Sequence, residues 1–561
     1  MPSRPRPWAE VVAVATLLAA VVVLGALTSR HASITYDEPM HLRYGASILK
    51  GDASRFVDGT MPVSALNALP QRAADALPTG ALRAALARVE TGRWITIVFS
   101  ALIAFLVYGW ARQLYGPRAG IFSLLLYALS PNLIAHSSLI TTDIYAAGMV
   151  TLSLYCFWRY LARGGSKRLV ASAVVVGAAQ LAKYSCVFLY PVLAIVVLVR
   201  NWSDLGRLAS GRDWAGFWRR IARFVKPAVV FILIGIAVLN AGFLFDRTFT
   251  QIGKYEMRSE AGKTLQARLA PIGWLPVPVP YPYLEGLDWG KLREETGRGF
   301  GSMYLFGDLR ETGGFPGYYF FAYLFKEPLA LQALLALALG LYVVRRRRFA
   351  FLSNEIVPAV AVACYAIYLN FFFSLQIGIR HALVIFPLLY VFCGSLLAPA
   401  RTDEAAPAGR KRRWALPAFL TLITCYLAVS VLSYHPHYIP YFNELVWDRK
   451  MAYRILADSN IDWGQAAGAA RAYKAAHPEV YLEDGQWRMK SYRERHMEEY
   501  LHPQFPDSGQ IVVGVNNLVG IGHPHRYKWL RENYRPVGHI AYAYLIFEIA
   551  PGDSLSRGGV R

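Results

Sequence analysis

The sequence predicts an α-helical protein that crosses a membrane about eleven times and ends in a small α/β domain outside the membrane. Of the 561 residues, 55% are hydrophobic and only 17% are charged, a balance that excludes an ordinary soluble enzyme. Apolar runs of roughly 17 to 25 residues, long enough to cross a bilayer, recur along the chain. They lie near residues 9–28, 94–112, 119–137, 142–160, 168–182, 184–200, 227–245, 317–343, 356–374, 381–398 and 414–433.

The first apolar run is predicted to be a retained signal-anchor helix. Arg4 and Arg6 precede it, and no convincing small-residue cleavage site follows it. The net charge of +22 lies mostly in loops between spans, and these loops alternate with loops that carry almost no basic residues. The positive-inside rule places the basic loops in the cytoplasm, so topology explains the charge better than nucleic-acid binding does. The basic loops are residues 112–118, 159–168, 200–226, 345–348 and 401–413.

The same topology predicts a multi-pass protein of the inner (plasma) membrane, with its N-terminus in the cytoplasm. Residues 1–433 form the predicted membrane domain, and residues 434–561 form an α/β domain on the extracytoplasmic side. Hydropathy falls after residue 433, and strand-like runs follow at residues 511–515 and 539–549.

Two long loops of the membrane domain, residues 29–93 and 246–316, are predicted to face outside as well. In the first loop, leucines at helical spacing in residues 73–89 predict an interfacial helix on the outer leaflet. The second loop is rich in Gly, Pro, Tyr and Trp, a composition that predicts little helix and a mobile loop facing a substrate.

Acidic residues lie at the outer ends of two predicted spans. Asp37 and Glu38 follow the first span, with His41 close behind, and Asp143 begins the fourth. Ionisable groups at the edge of a membrane point to a functional site when several of them converge. We therefore expect a catalytic site at the outer membrane face.

Four short motifs lie at the predicted ends of membrane spans: Asp37-Glu38, Thr141-Thr142-Asp143, Lys326-Glu327-Pro328-Leu329 and Gly378-Ile379-Arg380-His381. They resemble motifs of the phospholipid-carrier-dependent glycosyltransferases, which have the GT-C fold. This family includes the dolichyl-phosphate-mannose protein mannosyltransferases and the aminoarabinose transferase that modifies lipid A. Two later runs, residues 434–444 and 458–465, resemble a signature of one bacterial branch, so the resemblance extends over nearly the whole chain.

The resemblance implies a polytopic transferase that moves a sugar from a polyprenyl-phosphate donor to an extracytoplasmic acceptor, with inversion. The acceptor is a protein hydroxyl, a glycolipid or a glycan. By this resemblance Asp37 is the general base, Glu38 orients the acceptor or a cation, and Asp143 is a second acid of the site. Each acid also has a local explanation: Asp37 and Asp143 as helix caps, Glu38 as a first-turn residue favoured by the helix dipole.

Basic residues near the outer face are candidates for binding the donor phosphate. Arg380 ranks first because its planar fork suits a phosphate, followed by Arg93 and Lys183. Snorkelling to lipid head groups is the alternative for all three. Lys326 either binds the phosphate or pairs with Glu327, and His41 is an accessory residue one helical turn after Asp37 or a bystander.

One departure from the family affects the donor contacts. Related sequences carry a His or Lys before a proline pair downstream of the acids, whereas residues 60–63 here read Thr-Met-Pro-Val. The histidines of the C-terminal part have no matching acid or Cys pattern, so we expect no metal site. The sequence points to no particular cofactor, and a divalent cation that assists the reaction is compatible with it. The four histidines are His435, His437, His523 and His525.

Two other classes of function compete with the enzyme. A transporter or flippase for a lipid-linked substrate would carry charges in mid-span and internal symmetry, whereas here the charges cluster at span ends. A catalytically inactive membrane scaffold would have no reason to keep Asp37 and Asp143. The predicted partners are the lipid-linked donor, the acceptor and membrane lipids.

Overall fold

Long apolar helices make up most of the computed structural model, which describes residues 7–54, 59–297, 302–345, 349–399, 410–483, 508–521 and 523–551. The first helices form the N-terminal half of the membrane part, and short helices between α1 and α5 cover its outer end. These helices are α1 Pro7–His31, α2 Glu38–Ile48, α3 Ser64–Asp75, α4 Ala81–Leu86, α5 Val89–Tyr115, α6 Pro117–Ala128, α7 Pro131–Ser137, α8 Thr142–Arg163, α9 Ser166–Ala179, α10 Leu189–Arg200 and α11 Trp202–Ser210.

The second half continues with further apolar helices and ends in shorter polar ones. The residues before α18 form a 3₁₀ segment, Ile379–Ile385, that belongs to the same span. The helices are α12 Trp214–Gly242, α13 Glu260–Arg268, α14 Tyr281–Thr296, α15 Tyr318–Lys326, α16 Leu329–Val344, α17 Ile356–Phe371, α18 Phe386–Cys393, α19 Arg410–Leu432, α20 Ala467–Ala476, α21 Val515–Val519 and α22 Lys528–Asn533.

Four described helical segments are long and apolar enough to cross a membrane, and up to seven if each of three bent helix pairs is one span. The bends have a sequence cause where proline begins the second helix, as at Pro131 in α7, because proline cannot continue the preceding helix. Every one of the eleven predicted apolar ranges contains helix, which confirms the helical membrane class. The count of eleven stays a prediction, since α9 and α17 are only 14 and 16 residues long.

The described residues also form six short strands. Strands β1 and β2 pair as an antiparallel hairpin, and the other four form a mixed sheet of order β3-β4-β6-β5 near the C-terminus. Only β3 and β4 run parallel, with Tyr481 opposite Ile511. The strands are β1 Met303–Leu305, β2 Asp308–Arg310, β3 Tyr481–Leu482, β4 Gly509–Gly514, β5 Gly538–Ile540 and β6 Tyr544–Ile549.

The structure corrects three local predictions. Residues 73–89 do not form one helix, because Pro78 and Gly80 interrupt the helical pattern. They form the end of α3, a turn and the short α4, and α4 has no buried residue. The loop 246–316 contains two helices, α13 and α14, although its Pro-rich stretch 271–280 is largely non-helical as predicted. Residues 539–549 form two strands rather than one, because Ala541 and Tyr542 turn the chain with positive φ.

One hydrophobic core joins the membrane helices to the C-terminal part. It contains residues of α5 and α8 together with Trp463 and with Ile511 of β4. A smaller cluster, which includes Val512 and Ile546, covers the opposite face of the sheet. The C-terminal part therefore packs directly on the end of the membrane helices where α2 begins.

Candidate functional site

Asp37 occupies the N-cap position of α2 but does not cap it. Its side chain makes no capping hydrogen bond, and proline at the second helical position removes one of the N–H groups that such a cap would bind. The carboxylate is free to bond elsewhere: Oδ2 accepts a hydrogen bond of 2.9 Å from Nη1 of Arg380. In the described chain, no residue donates a hydrogen bond to the other oxygen, Oδ1.

Arg380 lies at the centre of the site. It is the second residue of the 3₁₀ segment before α18, and its Nη1 is also 3.8 Å from Oδ2 of Asp143. The guanidinium lies over the indole ring of Trp463, 4.1 Å from the ring centroid. Its Nε is buried and has no hydrogen-bond partner among the described residues. Arg380 therefore keeps a donor for a ligand while it pairs with acids.

Asp143 lies deeper than Asp37, at the start of α8. Its side chain is 2% exposed, and Oδ1 accepts a hydrogen bond of 2.5 Å from Nζ of Lys183. The preceding N-cap residue, Thr141, makes no side-chain cap either. Nζ of Lys183 also lies 3.3 Å from Nδ1 of His381. Two acids and two bases thus alternate in one chain of contacts, and their charges compensate each other.

Three more buried polar atoms beside this chain of contacts have no partner in the described part of the protein. Buried polar groups in native proteins are nearly always hydrogen-bonded, so such a concentration indicates the place of a polar ligand. His381 contacts Lys183 of this chain of contacts, and the ring centroid of His136 lies 5.8 Å from that of Trp463. The atoms are Nδ1 of His136, Oγ1 of Thr141 and Nε2 of His381.

Glu38 and Arg93 form a separate ion pair with no exposed surface on either side chain. Nε and Nη2 of Arg93 each donate a hydrogen bond of 2.7 Å to the Glu38 carboxylate. The three remaining N–H groups of Arg93 donate to the backbone carbonyls of residues 29, 32 and 33. Glu38 in turn accepts from the backbone N–H groups of Thr35 and Ile140. All five donors of Arg93 are thus used within the protein.

Lys326 does not pair with Glu327 in the structure. Its Nζ donates to the backbone carbonyls of Ile439 and Asn460, at 2.6 and 2.7 Å. Glu327 instead accepts hydrogen bonds from Tyr390 and Asn132. The lysine is 1% exposed and ties the C-terminal part to the end of α15.

His41 lies one turn after Asp37 in α2 and is buried. Its Nδ1 is 3.2 Å from Oγ of Ser64. Burial lowers the pKa of His41, and the nearby charges of Asp37 and Asp143 oppose that effect. His41 thus connects α2 to the first residue of α3.

Residues 458–465 contribute side chains that the sequence reasoning left out of the site. Trp463 supplies the ring under Arg380, and the backbone N–H of Ile379 donates to Oδ1 of Asn460 at 3.0 Å. Burial raises the pKa of Asp458 to about 7, against the opposing charge of Arg380, and raises the pKa of Asp462 to about 6. The available signal was the motif itself, in which Asp462 stands next to Trp463.

No group of three or more His, Cys, Asp or Glu side chains in the described ranges is arranged to hold a metal ion. The candidate site is therefore a cluster of two acids, two bases and an indole.

The model of the dolichyl-phosphate-mannose-protein mannosyltransferase family matches residues 84–209, which include Asp143 and Lys183. Over these residues the chain is similar to that family. This similarity agrees with the resemblance that the sequence motifs carry, and the long apolar helices confirm the membrane-embedded helical fold predicted from the sequence. The matched segment is a minority of the chain.

Several solved structures are also similar to the chain. ArnT from Cupriavidus metallidurans bound to undecaprenyl phosphate is 13% identical at a TM-score of 0.39, with 97% of this chain and 98% of that chain covered. The Archaeoglobus fulgidus oligosaccharyltransferase tethered with an acceptor peptide is 12% identical at a TM-score of 0.42, with 76% and 55% covered.

The archaeal oligosaccharyltransferase AglB from the same organism, in complex with an inhibitory peptide and a dolichol-phosphate, is 14% identical at a TM-score of 0.40. The alignment covers 83% of this chain and 58% of that chain. The present chain thus spans little more than half the length of the archaeal proteins. A comparison with curated protein sequences gave no significant match.

Proposed function

We propose that this protein transfers a sugar from a polyprenyl-phosphate donor to an extracytoplasmic acceptor, with Asp37 as the general base. The observation that carries the proposal is the alternating contact chain Asp37–Arg380–Asp143–Lys183 at the ends of membrane helices. One acid of this chain has an oxygen that no described residue engages, and one base has an unpartnered donor. Such a site can take a proton and bind an anion at the same time.

In the proposed reaction, Oδ1 of Asp37 accepts the proton of an acceptor hydroxyl while Oδ2 is held by Arg380. The acceptor oxygen attacks the anomeric carbon of the donor sugar and forms the new glycosidic bond. The bond between that carbon and the phosphate oxygen breaks, and polyprenyl phosphate leaves with the electron pair. A single displacement inverts the anomeric configuration.

Arg380 and Lys183 are the proposed phosphate-binding groups. Charge-assisted hydrogen bonds from such groups stabilise the negative charge that grows on the leaving phosphate. Nε of Arg380 has no other partner in the described chain and is the donor that we assign to a phosphate oxygen. Asp143 lies between both bases and keeps them in place, so we assign it a positioning role rather than that of a second base.

Arg93, Glu38 and Lys326 hold the site together in this proposal rather than touch the substrate. Support comes from their hydrogen bonds, because all five Arg93 donors end on protein acceptors and Lys326 bonds two backbone carbonyls. The proposed orientation puts the site and the C-terminal part on the extracytoplasmic side, opposite the basic loops.

The test is sugar transfer by the purified protein in nanodiscs, with a panel of radiolabelled undecaprenyl-phosphate sugars and an envelope extract as acceptor. We expect the radiolabel of at least one donor to become attached to acceptor material, which is separated from the donor lipid by extraction. Identification of the labelled product then names the acceptor class. Movement of the intact donor between leaflets without transfer of label would contradict the proposal and favour a flippase.

A further inference from the structure

Residues 458–465 form a short segment, here called the strap, that lies between the two loops of the site. On one side it binds the loop that carries Asp37: the backbone N–H of Tyr36 donates to the carbonyl of Trp463 at 3.2 Å, and that of Ser33 donates to the carbonyl of Gln465 at 2.8 Å. The strap thus fixes the residues immediately before the proposed base.

On its other side the strap binds the turn that carries Arg380. Oγ of Ser459 donates to the carbonyl of Ile377, and Oδ1 of Asn460 accepts from the backbone N–H of Ile379. Gly378 has a φ of +150°, and a Cβ at this position would overlap Oγ of Ser459. Glycine is therefore required for this close approach.

Trp463 lies between the loop that carries Asp37 and the turn that carries Arg380, next to their charged groups. Its side chain is buried, and its indole lies under the Arg380 guanidinium at 4.1 Å. Asp37 therefore binds the guanidinium through Nη1 while the indole covers its face. A planar cation held in two directions loses most of its rotational freedom before any ligand arrives.

We infer that the strap completes the site from the C-terminal part, and that Trp463 is a positioning residue that holds the Arg380 guanidinium ready for the donor phosphate. This inference rests on the proposed function, because it assigns the phosphate contact to Arg380. The C-terminal part is then a component of the phosphate-binding site itself.

The first test compares Trp463→Ala with Trp463→Phe, using the binding of undecaprenyl phosphate to protein in nanodiscs as a readout that does not depend on turnover. Loss of the ring weakens binding about ten- to thirtyfold in Trp463→Ala, and Phe restores most of the affinity because it keeps an aromatic face. Trp447→Ala is the control, since Trp447 belongs to the same part of the chain and is 95% exposed. Equal affinity of wild type and Trp463→Ala, with both proteins folded, would overturn the inference.

The second test fixes the strap to the first outer loop with a disulfide. A Cβ at residue 468, next to the strap, would lie 2.8 Å from Oγ of Ser33, which is close to the distance that a disulfide needs between Cβ and the partner sulfur. We expect Ser33→Cys/Gly468→Cys to cross-link under mild oxidation, detected by peptide mapping, and the cross-linked protein to bind undecaprenyl phosphate as the reduced form does. Ser33→Cys alone is the control.

A folded double variant that does not cross-link, or whose lipid binding is lost on cross-linking and regained on reduction, would overturn the inference. These outcomes are separate from failure of the proposed function. If wild type transfers no sugar, the proposed reaction falls, whereas lipid binding and cross-linking still decide the role of the strap.

Discussion

Asp37 and Arg380 are 343 positions apart in the chain and form an ion pair in which Nη1 of Arg380 lies 2.9 Å from Oδ2 of Asp37. Both side chains are largely buried, so each charge stabilises the other at the end of the membrane helices. The pair also leaves polar atoms unused, since Oδ1 of Asp37 and Nε of Arg380 have no hydrogen-bond partner in the described chain.

Arg380→Lys is expected to lower sugar transfer about ten- to hundredfold although the positive charge remains. A lysine ammonium lacks the planar fork that pairs with Asp37 and stacks on Trp463 while it offers a further donor. The measurement is the initial rate of transfer at fixed donor concentration. Arg72→Lys, which changes an exposed arginine paired with Asp75, serves as the control. Wild-type rates in Arg380→Lys would show that the fork is not used.

Loss of one partner of the Glu38–Arg93 pair is expected to act on stability. Removing one member of a buried ion pair typically costs about 3–5 kcal/mol because the other charge stays buried without compensation. Glu38→Gln should therefore lower the midpoint of thermal unfolding in detergent, while the folded fraction keeps its transfer rate. Glu10→Gln breaks the partly exposed pair with Arg112 and should change the midpoint little. A Glu38→Gln protein that is as stable as wild type but inactive would contradict this structural role and indicate that Glu38 takes part in the reaction.

Lys326→Met is expected to loosen the C-terminal part. The variant leaves the carbonyls of Ile439 and Asn460 without the bonds that Nζ now provides. Limited proteolysis should then cleave residues 434–483 faster than in wild type, and transfer should fall because the strap is less well held. Lys263→Met removes an exposed lysine of α13 and is the matched control. Unchanged proteolysis in Lys326→Met would contradict this role.

Asp458 is expected to make stability depend on pH. Burial raises its pKa to about 7, so between the ordinary carboxyl range and pH 7 the folded protein binds a proton that the unfolded chain releases. The free energy of unfolding therefore falls as pH rises through that window. Above pH 7, Asp458 contributes no further change with pH. Asp458→Asn lacks this component, and asparagine also tolerates the φ of +57° at this position.

The measurement is the midpoint of thermal unfolding from pH 5 to pH 8. The difference between Asp458→Asn and wild type should grow with rising pH and level off above about pH 7. Asp448→Asn changes an acid that caps a 3₁₀ turn, a bond that asparagine can also make, and is the control. A difference that is constant across the whole range would contradict the raised pKa.

The sequence alone predicts much of the fold and part of the site. Apolar runs of bilayer length locate the helices, and acids at span ends identify Asp37 and Asp143. Arg380 and Lys183, which were candidates by type and position, do lie beside these acids. The helix α14 was missed because the prolines before it dominate the local composition, although Pro282 stands in its first turn, where proline favours a helix start.

The sequence does not show which basic residues keep an N–H group without a hydrogen-bond partner in the protein. Arg93 looks as suitable for a phosphate as Arg380, but the chain after α1 folds so that three carbonyls meet its guanidinium. The ammonium group of Lys326 likewise donates its hydrogen bonds to backbone carbonyls more than a hundred positions away. Such contacts depend on tertiary packing, and so does the approach of Trp463 to Arg380.

The most direct measurement of the central claim is sugar transfer by Asp37→Asn in nanodiscs, with the labelled donor that wild type uses. Asparagine keeps the shape of the side chain but cannot take the acceptor proton, so transfer should fall about a hundredfold or more while undecaprenyl phosphate still binds. Asp52→Asn, an exposed acid just after α2, should transfer as wild type does. Wild-type transfer by a folded Asp37→Asn protein would contradict the account and place the base elsewhere.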